Sequence, residues 1–358
     1  MNSKQKGGTM RYGLRVNGYW LSVVIGLIIC FTSAAFCEDI EMRTQSIVRK
    51  NIALLKDKKY EHDAIVNLTA IGAPAVPSLT EVVNNPKESI SQRTTVIDIL
   101  ADIKSPMATE SLSQSLKDPS LKIRRASAKA LGSISDRKAI EPLKGALTDL
   151  DSQTRYLASR SLQQIKDPAL NDTFMKLLDD QDIRIRMLAI DGLGDIKEAR
   201  AVEKLSRFSD DYNDEVRLRL AIALGKIRTK AAIPALNKLL EDRNINVRKE
   251  ALKALGEVKD PSSIPYLIKI AEMDSKDLRY AATMALGEIG ASEVVPPLKK
   301  LLRDEAIDVR VAAMKSLAKI GSAEFAKDFE LLLNDESMRV RRQAQEALTA
   351  LRGNQPSN

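Results

Sequence analysis

An arginine returns every 31 residues through most of this chain: Arg93, Arg124, Arg155, Arg186, Arg217, Arg248, Arg279, Arg310 and Arg341. Seven residues after each stands a leucine: Leu100, Leu131, Leu162, Leu193, Leu224, Leu255, Leu286, Leu317 and Leu348. A strict period of this length admits few folds. Each unit is too short to bury an apolar face by itself, so successive units must stack and share one continuous core. The stretch INVRKEALKALG (245–256) shows what one unit holds, a short amphipathic helix with the arginine near its start. The expected fold is all-α: an α-solenoid, or superhelix, of about ten two-helix repeats filling residues 38–352.

The rest of each unit fits that reading. A first helix, such as Ala108–Leu116 or Ile233–Leu240, leads to a tight acidic turn and then to the arginine-bearing second helix. Proline falls just inside the first helix at Pro142, Pro234, Pro265 and Pro296, where its missing N–H costs nothing. Lys166-Asp167-Pro168 and Lys259-Asp260-Pro261 punctuate the units, because proline disfavours helix in the residue before it. The unit around Glu61–Gly72 lacks the arginine, as a capping repeat would, and residues 353–358 read as a disordered tail. No strand pattern or Gly/Ser linker divides the array.

In this respect the chain resembles the HEAT repeat family, and within it the short bacterial type called PBS-lyase HEAT-like. The resemblance rests on Asp-x5-Arg followed by Ala, Leu and Gly in the second helix. Asp118, Asp149, Asp180, Asp211, Asp242, Asp304 and Asp335 each lie six residues before an arginine, while Lys87 and Met273 break the series. The family resemblance implies a ladder of aspartates and arginines between repeats, with the second helices lining a concave face. Elementary electrostatics points the same way. An acid near a helix start meets the positive end of the dipole and can cap free N–H groups, and an arginine one turn on can reach that carboxylate or its neighbour's. The structural ladder is therefore assigned to Asp118, Arg124, Asp149, Arg155, Asp180, Arg186, Asp211, Arg217, Asp242, Arg248, Asp304, Arg310, Asp335 and Arg341. The adjacent pairs Asp179-Asp180 and Asp210-Asp211 are read as capping acids rather than catalytic ones.

Residues 1–37 read as a signal peptide. Lys4, Lys6, Arg11 and Arg15 precede an apolar run from Trp20 to Phe31, then Thr32-Ser33-Ala34-Ala35. Cleavage fits after Ala35 or after Cys37, and Met10 offers an alternative start. A lipobox ending at Cys37 is disfavoured by Phe36, which stands where a small residue is needed. Left uncleaved, the apolar run reaches about 17 residues with Phe36, the short end of a membrane span. The expected location is exported, to a bacterial periplasm or the exterior, with inner-membrane anchoring as the alternative. Both cysteines, Cys30 and Cys37, lie in this segment, so the array has none.

Chemistry-bearing constellations are missing. The single histidine, His62, excludes His-rich metal sites and distributed Ser-His-Asp triads, and it reads as a surface or capping residue. One enzyme built on such repeats depends on repeated His-Glu pairs, and none occurs here. No strand-turn-helix phosphate loop is present. The formal charge of +8 owes half its value to residues 1–37; the remainder holds 52 basic and 48 acidic residues, so no nucleic-acid partner is expected. The chain is read as a non-enzyme without cofactor or metal.

What remains is surface. In projection, positions three, six, seven and ten after the arginine form the core face; positions one, five and eight lie opposite. Position eight is glycine in five units (Gly132, Gly194, Gly225, Gly256, Gly287), each costing about 1 kcal/mol against alanine in a helix. Close approach by the next helix or by a partner is implied. Positions one and five place Tyr156, Arg160, Met187, Leu218, Ile222, Tyr280 and Met284 where a helix normally carries charge. Either neighbouring second helices half-bury this stripe, or it is a binding surface for a protein or peptide. The expected function is thus a protein-interaction scaffold of the cell envelope. The alternatives are an enzyme or accessory factor acting on a bound protein, bilin-lyase-like or otherwise, and a scaffold held to the membrane by its uncleaved signal.

Overall fold

The leucine seven residues after each arginine is fully buried in seven consecutive repeats, Leu131 to Leu317. Burying one such side chain is worth about 1.5–3 kcal/mol, so this column supplies much of what holds the helices in register. The computed structural model describes residues 40–353, and the segment assigned to the signal, residues 1–37, lies outside them, as does the tail from 354. The described residues are helical without strands, as ten pairs of α-helices. By contacts the chain divides into two compact units, Met1–Ser111 and Leu112–Asn358.

The first unit holds α1 (40–54), α2 (Glu61–Ile71), α3 (Val76–Asn84) and α4 (Ile90–Ile103). The arginine-free helix α2 packs on α4 and buries Ala64 and Leu68. His62 is exposed on it. The short helix α5 (Thr109–Ser115) spans the division.

In the second unit the arginine-bearing helices are α6 (Leu121–Ile134), α8 (Ser152–Ile165), α10 (Ile183–Asp195), α12 (Asp214–Ile227), α14 (Ile245–Val258), α16 (Lys276–Ile289), α18 (Ile307–Ile320) and α20 (Met338–Gly353). Each packs beside the next. Between them run shorter first helices: α7 (Ile140–Ala146), α9 (Asn171–Leu177), α11 (Val202–Ser206), α13 (Ile233–Leu239), α15 (Ile264–Met273), α17 (Val295–Leu301) and α19 (Ala326–Leu332).

The punctuation is built from three adjacent residues. Lys166, Lys197, Arg228 and Lys259 stand in the left-handed region at φ 53 to 58° and end the second helices, a conformation that costs a non-glycine residue about 1 kcal/mol. Gly290 and Gly321 hold the same place in later repeats. The next residue caps a short 3₁₀ turn: the side chains of Asp136, Asp167, Glu198 and Asp260 each accept from the N–H two residues on. Proline then opens that turn at Pro168 and Pro261. The Lys-Asp-Pro triplets are therefore helix stop, turn cap and turn start. The 3₁₀ turn ahead of the first helices is marked in the sequence by these capping acids, which recur at one phase of the 31-residue period.

The second helices have their own caps, and these are not the repeated aspartates. The capping residue lies four before the arginine: Asp151, Asp182, Asn213 and Asn244 each accept an N–H of the first turn. The aspartate six before the arginine accepts a different bond, from the N–H two residues after itself, as in Asp149 to Asp151 and Asp242 to Asn244, both 2.8 Å. It shapes the turn rather than capping the helix, which corrects the expectation that these acids cap the second helices.

Candidate interaction surface

The ladder runs between repeats: of the two carboxylates open to an arginine by spacing, the structure joins it to its neighbour's where a rung closes. Seven of the arginines extend one guanidinium nitrogen back to the turn of their own repeat, as Arg124 to the Asp118 carbonyl at 2.9 Å and Arg310 to that of Asp304 at 2.8 Å. The other nitrogens reach forward 25 residues to the next repeat's aspartate. Arg124 meets Asp149 at 2.7 and 3.1 Å, Arg279 meets Asp304 at 2.9 Å twice, and Arg310 meets Asp335 at 2.9 Å. Arg217 and Asp242 make the most enclosed rung, with side chains 6% and 5% exposed. Burial opposes the charge on Asp149 and Asp242, yet the facing guanidinium prevails and holds both carboxyls below their usual range.

Not every rung closes. Arg155, Arg186 and Arg341 hold their own turns at 2.8, 2.9 and 2.7 Å, and among the described residues the first two do not reach Asp180 or Asp211. Arg248 faces the phase where Met273 replaces aspartate, and its buried Nε has no partner. There α15 runs on to Met273, three residues beyond most first helices, and Met273 is 81% exposed. The double acids are correspondingly not a capping device. Asp179 accepts from Lys204 at 2.6 Å, and Asp210 pairs with Lys238, so the first acid of each pair joins a second, outer set of bridges between repeats.

The repeated glycines belong to the helix contacts. A Cβ on Gly194 would lie 2.8 Å from the backbone of Ala223, and one on Gly256 would lie 3.0 Å from that of Ala285. Position eight of one second helix thus seats against position six of the next. The projection that set it on the outer face fails because each second helix is flanked on two sides. The glycines mark the neighbouring helix, and not a partner.

The same flanking governs the candidate stripe. Tyr156, Met187, Leu218, Ile222 and Met284 are half-buried, whereas Arg160 and Tyr280 are exposed. Arg184 lies over the Tyr156 ring, 4.7 Å from its centroid, and covers one face. Between Met187 and Ile222 the second helices carry a paired Asp191 and Arg219. Burial pushes the Asp191 carboxyl up despite that partner. The middle of the stripe is therefore mostly an inter-helix seam.

Tyr280 and Met284 differ, and the structure brings them together. They lie with Ala281 and Ala285 in a groove of about 810 Å³ over α14, α16 and the starts of α18 and α20. Glu250, Lys253 and Glu257 line one side, and Asp308 and Arg339 the other. Lys249 bonds Asp277 at 2.7 Å and Lys253 bonds Glu250 at 2.8 Å, so most of the charge is internally matched around an apolar centre. The groove comes from position two after the arginine. Ala281 stands where the four preceding repeats carry Leu157, Leu188, Arg219 and Glu250, although Ala126 holds the same phase in the Arg124 repeat. Ala281, between Tyr280 and Met284, was the sequence signal for the site.

Comparison with known proteins accords with this architecture. The family model for HEAT repeats matches residues 76–155, 145–212, 205–285 and 268–349. The chain belongs to the HEAT repeat family. HEAT repeats generally mediate protein–protein interactions, and the family supports a protein-interaction scaffold here. Among solved structures the chain is similar to an engineered protein, at 21% identity and a TM-score of 0.52, covering 86% of this chain and 99% of that one. It also matches human deoxyhypusine hydroxylase in complex with glycerol, at 21% identity and a TM-score of 0.32, over 68% of this chain and 95% of that one. No curated protein matches the chain by sequence.

Proposed function

We propose that this protein is a non-enzymatic scaffold of the cell envelope that holds a partner protein or peptide in the groove at Tyr280 and Met284. The observation that carries the reading is the conjunction at that one place: an exposed tyrosine and a half-buried methionine over an alanine floor, with matched charges around it. Interfaces commonly take this form, an aromatic or methionine centre inside a polar rim. The envelope location rests on the basic start and the apolar run Trp20–Phe31, which lie outside the described residues. Among the described residues no single helix is long and apolar enough to cross a membrane.

The test is affinity capture from an envelope extract with the mature chain and with Tyr280→Asp/Met284→Ser. Circular dichroism and thermal melting should show the variant folded. Proteins retained by the wild type should be absent from the variant's eluate. An unchanged eluate removes the groove as the site. N-terminal sequencing of the mature protein tests the export reading, with a start at Phe36 or Glu38 expected.

A further inference from the structure

The net charge of the array hides a division between its two edges. In the second unit, the loops that follow α6, α8, α10, α12 and α14 (135–138, 166–169, 197–200, 228–231 and 259–262) hold eight basic and four acidic residues, whereas those after α16 and α18 (290–293 and 321–324) hold one acid each and no base. That excess of four equals the whole excess of residues 38–358. The turns ahead of α8, α10, α12 and α14 are opposite in sign: 148–151, 179–182, 210–213 and 241–244 hold nine acids and one base, while that ahead of α6 (117–120) is neutral.

The four acids of the basic edge are already engaged. Asp136, Asp167, Glu198 and Asp260 each accept a backbone N–H at 2.9 to 3.0 Å. Three of them also pair with bases of the same edge, Asp167 with Arg137, Glu198 with Arg200 and Asp260 with Lys230; the lysines at the helix ends are less constrained. Lys197 is exposed and has no ion pair among the described residues. Lys166 and Lys259 come no nearer than 3.6 and 3.9 Å to Asp195 and Glu288, with side chains 60% and 56% exposed. All three hold left-handed backbone, where glycine is the residue of least strain and where Gly290 and Gly321 serve in later repeats. A positive charge at a helix end does favour the dipole. Yet Ser135 ends α6 at the same phase without one, so the fold does not require it.

We propose that this edge is a second interaction surface, a basic rail that docks an extended acidic segment of a partner protein. Stacked helices lie about 10 Å apart, so five loops span about 40 Å, the reach of about twelve extended residues. A row one residue wide suits a chain better than a plane of lipid. Lipid-facing surfaces also pair their bases with apolar side chains that enter the interface. Here the most exposed apolar residues of the second unit, Leu150, Tyr212, Met273 and Met338, lie in or beside the opposite turns.

The test is Lys166→Gly/Lys197→Gly/Lys259→Gly in the mature chain. It removes three charges while giving each position the residue its backbone favours. Arg228 stays, because it also lines the groove. Binding is read by fluorescence anisotropy with a labelled twelve-residue peptide rich in Asp and Glu, its Asn/Gln counterpart, and, by flotation, phosphatidylcholine vesicles with and without phosphatidylglycerol. The wild type should bind the acidic peptide, more weakly as salt rises, and ignore the neutral one. The variant should bind at least tenfold more weakly with an unchanged or higher melting temperature. Tyr280→Asp should leave this binding intact, which separates failure of the rail from failure of the groove. No binding of the acidic peptide by the wild type, equal binding by the glycine variant, or charge-dependent binding to the anionic vesicles in preference to the peptide would each overturn the proposal. The last would make the rail a lipid contact. A fall in melting temperature with unchanged binding would make the lysines helix-end stabilisers.

Discussion

Gly145 and Gly194 are both helical glycines, and their surroundings set them apart. Nothing lies within 4 Å of a Cβ built on Gly145, whereas one on Gly194 would strike the Ala223 backbone at 2.8 Å. Gly145→Ala should stabilise the protein by up to about 1 kcal/mol through helix propensity. Gly194→Ala gains the same propensity but must push α12 away, and overpacking costs about 1–3 kcal/mol, so a net loss is expected. Urea denaturation midpoints moving in opposite directions would bear this out; a parallel rise would show that the helices separate freely. The carboxyls make a second contrast at this scale. Asp242 is held low, so its contribution is present at neutral pH and is lost as pH falls through its lowered value. Asp191 is pushed up, so its ionisation costs stability at neutral pH, and the cost vanishes as pH falls through the raised value. NMR titration should place the Asp191 midpoint above, and that of Asp242 below, the usual carboxylate value of about 3.9. Coincident midpoints would contradict the balance of burial and pairing described for the two.

Among the elements, the ladder defines where the array is tied and where it is not. Arg217 joins its own turn at 2.6 Å to Asp242 of the next repeat, and Arg217→Met leaves that enclosed carboxylate alone, a change that costs about 3 kcal/mol or more. Arg248 has no such partner, so Arg248→Met should shift stability by no more than about 0.5 kcal/mol. Equal losses in the two variants would mean that the arginines act by packing alone. These differences also show what could be read beforehand. Period and polarity disclosed the ten helix pairs, the leucine column and the link of aspartate to arginine, because those depend on spacing within and between units. The caps four before the arginine and the 3₁₀ turns are local and recur every 31 residues, but polar residues of mixed type fill them, so the aspartate series drew the reading instead. Which aspartate each arginine meets depends on how one unit is rotated onto the next, which spacing alone does not encode. Position eight was misplaced for the same reason. A single-helix projection has one inside and one outside, but α10, α12 and α14 each have a neighbour on both flanks. Tyr280 and Met284 were legible as apolar residues at polar positions. The groove that exposes Tyr280 depends on the small Ala281 beside it, which periodic averaging hides.

At the scale of the whole molecule, a regular scaffold carries its individuality in the places where the repeat departs from itself. Alanine stands at Ala281 where the four preceding repeats carry larger residues, and the groove opens beside it. Lysine or arginine replaces glycine at the ends of α8, α10, α12 and α14, and one edge becomes basic. Neither departure is needed to bury the core, and both lie on accessible surface. A scaffold that touches its partner at Tyr280 should cross-link to it from that position. The most direct measurement is photo-crosslinking in cells with benzoylphenylalanine replacing Tyr280, and, as a control, Leu150, which is almost fully exposed at a turn remote from the groove. A discrete adduct with another polypeptide from position 280, and none from position 150, is the expected result. No adduct from 280, or the same products from both positions, would contradict the assignment of this groove as the binding surface.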